Sequence, residues 1–179
     1  FALEVPDNWM WGEMYNLPLA EMTQIVDATL EAGHPVAWGT DVSEKGFNGG
    51  KAIGIIPESV EKNLIGSDAE KWGKLSAAGK QAKINNMEGP MAEKTITQEM
   101  RQEAFDNYQS TDDHGMVIVG TAEDQAGNPF FKVQNSWGES GPYKGFYYFS
   151  LPFFEYKTMD IMVHKSMVPK EIMKKIGLK

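Results

Sequence analysis

The sequence contains no cysteine, and this absence excludes two kinds of chemistry within its 179 residues. Neither a disulfide nor a thiolate metal site can form, and cysteine usage gives no information about the redox compartment. The three histidines do not show the spacing of metal ligands, so we predict no metal site and no cofactor. No obvious nucleophile is present either.

Long apolar runs and excess positive charge are also missing. No stretch reaches the length of about 18 apolar residues that a membrane span needs, so we predict no contact with the membrane. The formal net charge is -8 and the pI about 4.9. Because phosphate backbones attract clusters of Lys and Arg, this balance predicts no nucleic-acid binding.

The length fits one domain with a real core, and the hydrophobic share of 41% is ordinary for a globular protein. The sequence opens with Phe1-Ala2-Leu3-Glu4, which is neither a signal peptide nor a helix-capping sequence. We therefore expect a single domain over residues 1–179 that is a piece of a longer protein or a processed product.

The spacing of apolar residues predicts an α+β fold. A stripe from Leu19 to Leu30 at intervals of three and four predicts a long first helix, which Gly33 ends. Residues 58–110 are read as a helical insertion, with turns near 60–64 and 69–75 and a helix over 97–107. The other predicted elements are strands at 35–39, 52–56, 114–122, 130–134, 145–149 and 159–163, a helical turn at 150–152 and a helix at 168–176.

The most informative residues are a histidine and an asparagine on neighbouring predicted strands. His114 opens one strand, and Asn135 follows the return strand after the turn cluster 124–129. An imidazole can take a proton near neutral pH, and an amide oxygen that accepts from one ring N–H fixes the tautomer. Trp137 could shield such a hydrogen bond from water.

Hairpin geometry places both side chains on one face but does not bring them into contact. A turn centred between Ala126 and Gly127 sets His114 opposite Glu139 and Asn135 opposite Ile118. The two residues are then roughly 13 Å apart along the strands. A bulge or coil in the long turn, or curling of the chain after the return strand, must close this gap. On spacing alone, a half-buried histidine and a turn-forming asparagine remain the favoured interpretation.

Two segments resemble a known family. Residues 111–116 (Thr-Asp-Asp-His-Gly-Met) and 133–138 (Val-Gln-Asn-Ser-Trp-Gly) resemble the His and Asn segments of papain-like cysteine peptidases. The closer similarity is to the bleomycin hydrolase/aminopeptidase C branch, which residues 36–42, 97–102 and 156–169 also resemble. The likeness covers nearly all of the chain.

The resemblance implies a fold and a role for each site residue. The chain is similar to the C-terminal, antiparallel β-barrel half of a papain-like fold, with a long N-terminal helix and a helical insertion. His114 resembles the general base, Asn135 the residue that orients it, and Trp137 the ring that covers the pair. The nucleophilic Cys and the oxyanion-hole Gln of the family lie upstream, so the implied partner is a Cys-bearing part of the same protein.

For the whole protein, the resemblance implies a cysteine aminopeptidase that acts on peptide substrates, and this fragment alone would be inactive. It also implies a homo-oligomer, hexameric in this family, and a cytoplasmic location, with export not excluded. The last residues, 176–179, do not resemble the tail that restricts the family to N-terminal cleavage, so exopeptidase and endopeptidase action both stay open. The alternative is a non-catalytic interaction or scaffold module that has the papain fold.

Overall fold

A computed structural model describes residues 14–58, 74–76, 78–79, 82, 86 and 89–178. The described residues include four bounded α-helices and a seven-stranded sheet, which confirms the predicted α+β class. The helical turns predicted near 60–64 and 69–75 fall almost entirely outside the described residues. Within the described ranges, no helix combines the length and the apolar character needed to cross a bilayer.

The helices and strands lie close to their predicted positions. The helices are α1 (Leu19–Glu31), α2 (Gln98–Asp106), α3 (Leu151–Lys157) and α4 (Lys170–Ile176), and a short 3-10 helix spans Lys165–Met167. The strands are β1 (Val36–Thr40), β2 (Phe47–Asn48), β3 (Ile53–Gly54), β4 (His114–Glu123), β5 (Pro129–Gln134), β6 (Phe146–Ser150) and β7 (Thr158–Met162).

The sheet has the order β2-β3-β6-β5-β4-β1-β7, so β7 pairs with β1 at one edge. All neighbours are antiparallel except β3 and β6, which pair in parallel through Ile53 opposite Tyr148. Parallel neighbours need a long crossover connection, and the chain between these two strands provides one. The rest of the sheet is antiparallel, as the resemblance implied.

The strand predicted over residues 52–56 is shorter than expected, because its second half bonds outside the sheet. The N–H of Ile55 donates to the carbonyl of Gly46 at 3.2 Å, and the N–H of Ile56 donates to Glu93 Oε2 at 2.6 Å. Both isoleucine side chains stay buried, at 3% and 2% exposure. Their apolar character indicates burial correctly, but it does not indicate where their backbone hydrogen bonds go.

Aromatic side chains from β1, β6 and α3 form the centre of the core. The Trp38 ring centroid lies 5.0 Å from that of Phe149 and 5.9 Å from that of Phe154. The indole N–H of Trp38 donates to Thr158 Oγ1 at 2.8 Å, so the buried polar end of the ring is satisfied. Burying each such side chain stabilises the fold by about 1.5–3 kcal/mol.

Strand β6 continues directly into α3, where only a helical turn was predicted. Ser150 ends the strand and caps the helix, because its Oγ accepts from the N–H of Phe153 at 3.2 Å. Phe153 and Phe154 are both fully buried. The burial of these two rings explains why the turn extends into a seven-residue helix.

The hairpin of β4 and β5 forms as predicted, but its predicted register is wrong. Ile118 lies opposite Val133 instead of Asn135, and Gly120 lies opposite Lys132. The register shifts between Ile118 and Gly120, so Val119 is an extra residue that forms a bulge inside β4. The bulge and the offset turn together bring the start of β4 closer to the end of β5 than a regular hairpin would.

We expect Gly54→Ala to destabilise the fold. A Cβ at this position would overlap the ring of Phe149 and come within 3.1 Å of Phe153 Cδ2, and both rings are fully buried. Overpacking of this kind costs about 1–3 kcal/mol in the free energy of unfolding, which urea denaturation measures.

Gly120→Ala is the matched control, because a Cβ there meets nothing within 4 Å. The control should be neutral or slightly stabilising, since alanine loses less backbone entropy than glycine on folding. Equal stability of the two variants would contradict the tight packing of β3 against β6.

Candidate functional site

The segment that leads into His114 rests on a buried ion pair. Lys157, the last residue of α3, places its Nζ 3.3 Å from Asp41 Oδ2, and their side chains are 3% and 1% exposed. The same ammonium donates to the carbonyl of Gln109 at 2.8 Å and to Ser110 Oγ at 3.1 Å. Lys157 therefore fixes the chain four to five residues ahead of the histidine.

Asp41 holds the next residue of this segment through its own hydrogen bonds. Its Oδ2 accepts from the N–H of Thr111 at 3.0 Å, and its Oδ1 accepts from the N–H and Oγ of Ser43 at 2.8 Å and 2.6 Å. Burial alone would raise the pKa of Asp41. The hydrogen bonds from Ser43 and Thr111 and the charge of Lys157 outweigh burial, and the pKa lies below its ordinary value.

Asp113 completes the attachment of this segment to the end of β1. Its N–H donates to the carbonyl of Thr40 at 3.3 Å, and its Oδ1 accepts from the N–H of Val42 at 2.9 Å. His114 then pairs with Thr40 as the first residue of β4. Backbone contacts with β1 thus hold the histidine in place independently of the contacts of its side chain.

His114 and Asn135, far apart in the regular hairpin, are in direct contact. His114 Nε2 lies 2.8 Å from Asn135 Oδ1, and the asparagine is only 6% exposed. Two features close the predicted gap. The bulge at Val119 shifts the register, and the chain leaves the sheet after Gln134, the last residue of β5.

The direction of this hydrogen bond follows from a neighbouring one. Asn135 Oδ1 also accepts from the N–H of Ser136 at 2.7 Å, which identifies this atom as the amide oxygen. An amide oxygen only accepts, so His114 Nε2 must carry the hydrogen, and Nδ1 of the neutral ring has the free lone pair. Among the described residues, Asn135 Nδ2 is buried and has no hydrogen-bond partner.

A glycine-rich loop between β5 and β6 holds Asn135 in place. The N–H of Asn135 donates to the carbonyl of Gly145 at 2.9 Å, and the N–H of Gly145 donates to the carbonyl of Ser140 at 2.7 Å. Gly145 has a φ of 87°, and a Cβ there would overlap the carbonyl of Gly138. The position therefore requires glycine, and the loop closes on the backbone next to the asparagine.

Trp137 lies against the imidazole of His114. The ring centroids of Trp137 and His114 are 4.8 Å apart and tilted by 43°. The indole also meets Phe47 at 6.2 Å and Tyr147 at 6.0 Å, both edge to face, although it is 48% exposed. The structure thus brings together all three residues that the sequence singled out.

An open cleft runs from this pair across the outer face of the sheet, toward the edge strand β7. Residues of the pair and of four strands, β1, β4, β5 and β7, line it, among them His114, Asn135, Gly115, Gly39, Asp160 and Met162. Another concavity runs along α2 and contains amides and carboxylates but no imidazole. Of these two surfaces, the cleft is therefore the one that combines an imidazole with space for a ligand.

Sequence reasoning missed Asp41, Lys157 and Asp160. Asp41 had one usable signal, because an acidic residue directly after a buried strand is unusual unless it is paired.

The other two histidines lie outside the cleft: His34 is exposed, and His164 Nδ1 lies 2.7 Å from Ser166 Oγ at a helix start. Within the described ranges, no three His, Cys, Asp or Glu residues are grouped as metal ligands.

Comparison with protein families identifies the chain. The model of the Peptidase C1-like family matches residues 58–178, which is more than half of the sequence. The chain belongs to the Peptidase C1-like family. This assignment confirms the predicted resemblance to papain-like peptidases, and with the relatives below it supports a cysteine-peptidase-type function.

The curated relatives are bacterial aminopeptidases that match over short stretches. Aminopeptidase G of Lactobacillus delbrueckii subsp. lactis is 36% identical over 58 residues, which is 32% of this chain and 13% of the relative. Aminopeptidase C of Lactobacillus helveticus is 28% identical over 74 residues, which is 41% of this chain and 16% of the relative. The aligned stretches therefore span well under a quarter of these relatives.

A solved structure supports the fold over a longer range. PepW from Lactobacillus rhamnosis HN001 (DR20) superimposes with a TM-score of 0.57 at 22% identity. The match covers 97% of this chain and 34% of the PepW chain. The shared fold confirms the predicted architecture, and the chain spans about a third of the length of this structure.

We expect Lys157→Met to destabilise the chain by about 3–5 kcal/mol, because it leaves the Asp41 charge buried without its partner. The loss should also bring Asp41 and Glu44 into repulsion, since Glu44 Oε2 lies 3.3 Å from the same ammonium. Urea denaturation measures the change, and adding Asp41→Asn to this variant should restore part of the stability.

Lys175→Met is the control for this measurement. Its ion pair with Glu21 is shorter, at 2.6 Å, but Lys175 is 54% exposed. Solvent screens such a pair, so its loss should cost at most about 1 kcal/mol. Similar losses of unfolding free energy in the two variants would contradict the larger effect expected for the buried Lys157–Asp41 pair.

Acid should weaken the buried ion pair of Lys157 and Asp41. The folded pKa of Asp41 lies below its ordinary value of 3.8, so its contribution to stability is complete above that value and disappears as the pH falls through the folded pKa. The free energy of unfolding should therefore fall more steeply below about pH 4 for the parent chain than for Asp41→Asn. A pKa of the Asp41 carboxyl above 3.8, measured by NMR in the folded chain, would contradict this expectation.

Proposed function

We propose that this chain supplies the base half of a cysteine aminopeptidase active site. In this proposal His114 is the general base, Asn135 orients it, and Trp137 covers their hydrogen bond. The nucleophilic thiol comes from outside these 179 residues, which contain no cysteine. The supporting observation is the His114 Nε2 to Asn135 Oδ1 contact of 2.8 Å, whose direction leaves Nδ1 as the proton acceptor.

The proposed chemistry proceeds by proton transfer through Nδ1. The imidazole takes the proton of the thiol, and the thiolate attacks the carbonyl carbon of the peptide bond. The imidazolium remains hydrogen-bonded to Asn135 through Nε2, and it then donates its Nδ1 proton to the leaving amine. Water releases the acyl group with His114 again as the base. The chain alone has no thiol for His114 to activate, so we expect it to be inactive by itself.

The substrate class and the assembly follow from the same proposal. The relatives are named as aminopeptidases, which supports peptides as substrates. A homo-oligomer, a hexamer in the family that the sequence resembles, stays a prediction. So do the cytoplasmic location and the single domain with an insertion over about 58–110.

We expect His114→Ala in the full-length protein to lower kcat/KM for aminoacyl fluorogenic amides by about 10²–10⁴-fold, the usual contribution of general acid–base catalysis. Asn135→Ala should lower it less, because the base remains but its orientation is lost. The release of fluorophore measures both variants.

His34→Ala is the matched control, since His34 is an exposed histidine outside the cleft. Hydrolysis by His114→Ala at the rate of this control would reject the peptidase role of the site. That result would favour the non-catalytic scaffold module instead.

A further inference from the structure

The turn between β2 and β3 begins with Asn48 and Gly49, which form the one Asn-Gly pair in the sequence. Glycine has no Cβ to hinder the approach of its backbone nitrogen to the preceding side chain. The nitrogen of a glycine in this position can attack the amide carbon of the asparagine, and the product is a cyclic succinimide. Whether an asparagine of a folded chain reacts in this way depends on how the fold holds the two groups.

Asn48 and Gly49 have the exposure and the hydrogen bonds that this reaction needs. Both residues are partly exposed, and Gly50 after them is fully exposed to solvent. Asn48 Oδ1 accepts from the N–H of Lys51 at 3.0 Å, and this bond draws electrons away from the amide carbon that is attacked. Among the described residues, none accepts a hydrogen bond from the N–H of Gly49. Within this part of the chain, the attacking nitrogen is therefore not held by a hydrogen bond.

Other asparagines lack one of these conditions. The proline after Asn128 has no N–H, and the N–H that follows Asn107 donates to the carbonyl of Phe105 at 3.2 Å. Asn135 is only 6% exposed, and its Oδ1 accepts from the N–H of Ser136 at 2.7 Å. The fold therefore protects the asparagine of the candidate site and leaves Asn48 open to attack.

Hydrogen bonds to β3 and β6 fix the Asn48 turn at both ends. Before the turn, the carbonyl of Gly46 accepts from the N–H of Ile55 at 3.2 Å. After it, the N–H of Ala52 donates to the carbonyl of Gly49 at 3.3 Å, and the carbonyl of Ala52 accepts from the N–H of Tyr148 at 2.9 Å. A modification that lengthens the main chain between these fixed points must displace the residues that lie there.

Phe47, directly before Asn48, connects this turn to the candidate site. Its ring stacks on Phe149, with the centroids 5.9 Å apart and the planes within 2° of parallel. The same ring meets Trp137 edge to face at 6.2 Å, and Trp137 lies 4.8 Å from the ring of His114. A displacement of the main chain at Asn48 therefore reaches the indole beside the imidazole through one intervening side chain.

We propose that Asn48 is a site of spontaneous deamidation and that isoaspartate at this position disturbs the contact of Phe47 with Trp137. The Gly49 nitrogen loses its proton to solvent base and bonds to Asn48 Cγ, while the bond from Cγ to the side-chain nitrogen breaks and ammonia leaves. Water then opens the succinimide. Opening at Cγ gives aspartate, and opening at the main-chain carbonyl gives isoaspartate, which adds a methylene group to the main chain. Water is the other reactant, so neither an oxidant nor a reductant is required.

Peptide mapping of the folded full-length protein in weakly alkaline buffer tests the modification. Replacement of the amide by a carboxylate raises the mass of the peptide that contains Asn48, and a protein isoaspartate methyltransferase labels the isoaspartate product. We expect both signals at Asn48 and neither at Asn135 while the protein is folded. In urea, Asn135 should lose its protection and react as well. An Asn48 that reacts in urea but stays unchanged in the folded protein overturns the proposal.

Gly49→Ala tests the role of the attacking nitrogen and keeps the asparagine. A Cβ at Gly49 comes no closer than 3.8 Å to Phe47, so the fold tolerates it, but it hinders the attack on the preceding side chain. Gly120→Ala is the matched control, because the Cβ there meets nothing within 4 Å. Deamidation of Asn48 should be much slower in Gly49→Ala and should match the parent in Gly120→Ala. Equal rates in the two variants contradict the proposed attack.

The effect on hydrolysis rests on the proposed function, whereas the modification itself does not. A displacement of about 1 Å near a site can cost about 10²-fold in rate. In the presence of a reductant that protects the thiol, kcat/KM for aminoacyl fluorogenic amides should fall as the isoaspartate fraction rises, up to this factor at full conversion. Aged Gly49→Ala should retain its kcat/KM.

The two measurements separate the failure of this inference from that of the proposed function. Full conversion of Asn48 with an unchanged kcat/KM overturns the link to Trp137 and leaves the peptidase role of His114 intact. No hydrolysis by freshly prepared protein contradicts the proposed function. Peptide mapping then still decides whether Asn48 is modified.

Discussion

The buried ion pair of Lys157 and Asp41 is the constraint on which the site depends. It joins the end of α3, the end of β1 and the segment before His114, none of which are neighbours in the sequence. Buried pairs often add little net stability, because desolvation of both charges offsets their attraction, but breaking one is costly. The pair therefore acts mainly by excluding other arrangements of the segment, and the position of the imidazole follows from that restriction.

Local sequence patterns were sufficient to predict most of the helices and strands and one part of the site geometry, the shared face of its two central residues. The apolar stripe of α1 and the alternation along β4 depend only on the period of a helix or a strand. The same period of two placed His114 and Asn135 on one face, and the structure has them in contact. The proposed roles of these residues come from the family resemblance, because spacing alone leaves several uses open for a histidine at a strand start.

The features that could not be predicted all depend on contacts between distant parts of the chain. The bulge at Val119 and the hydrogen bonds of Ile55 and Ile56 are set by partners that the local sequence does not reveal. Asp160 enters the cleft because β7 pairs with β1, and its open surroundings exist because two glycines from different strands share its row. Single-sequence patterns contain no information about which strands become neighbours.

The bulge at Val119 also divides the hairpin into a part that tolerates changes in length and a part that does not. Beyond it, the turn from Asp124 to Asn128 is closed by its own hydrogen bonds and lies at the far end from the imidazole. Insertions there would lengthen a surface loop. Between His114 and Gly120, loss or gain of one residue would reverse which side chains face the core. Natural variation in this family should therefore collect at the tip of the hairpin and spare its base.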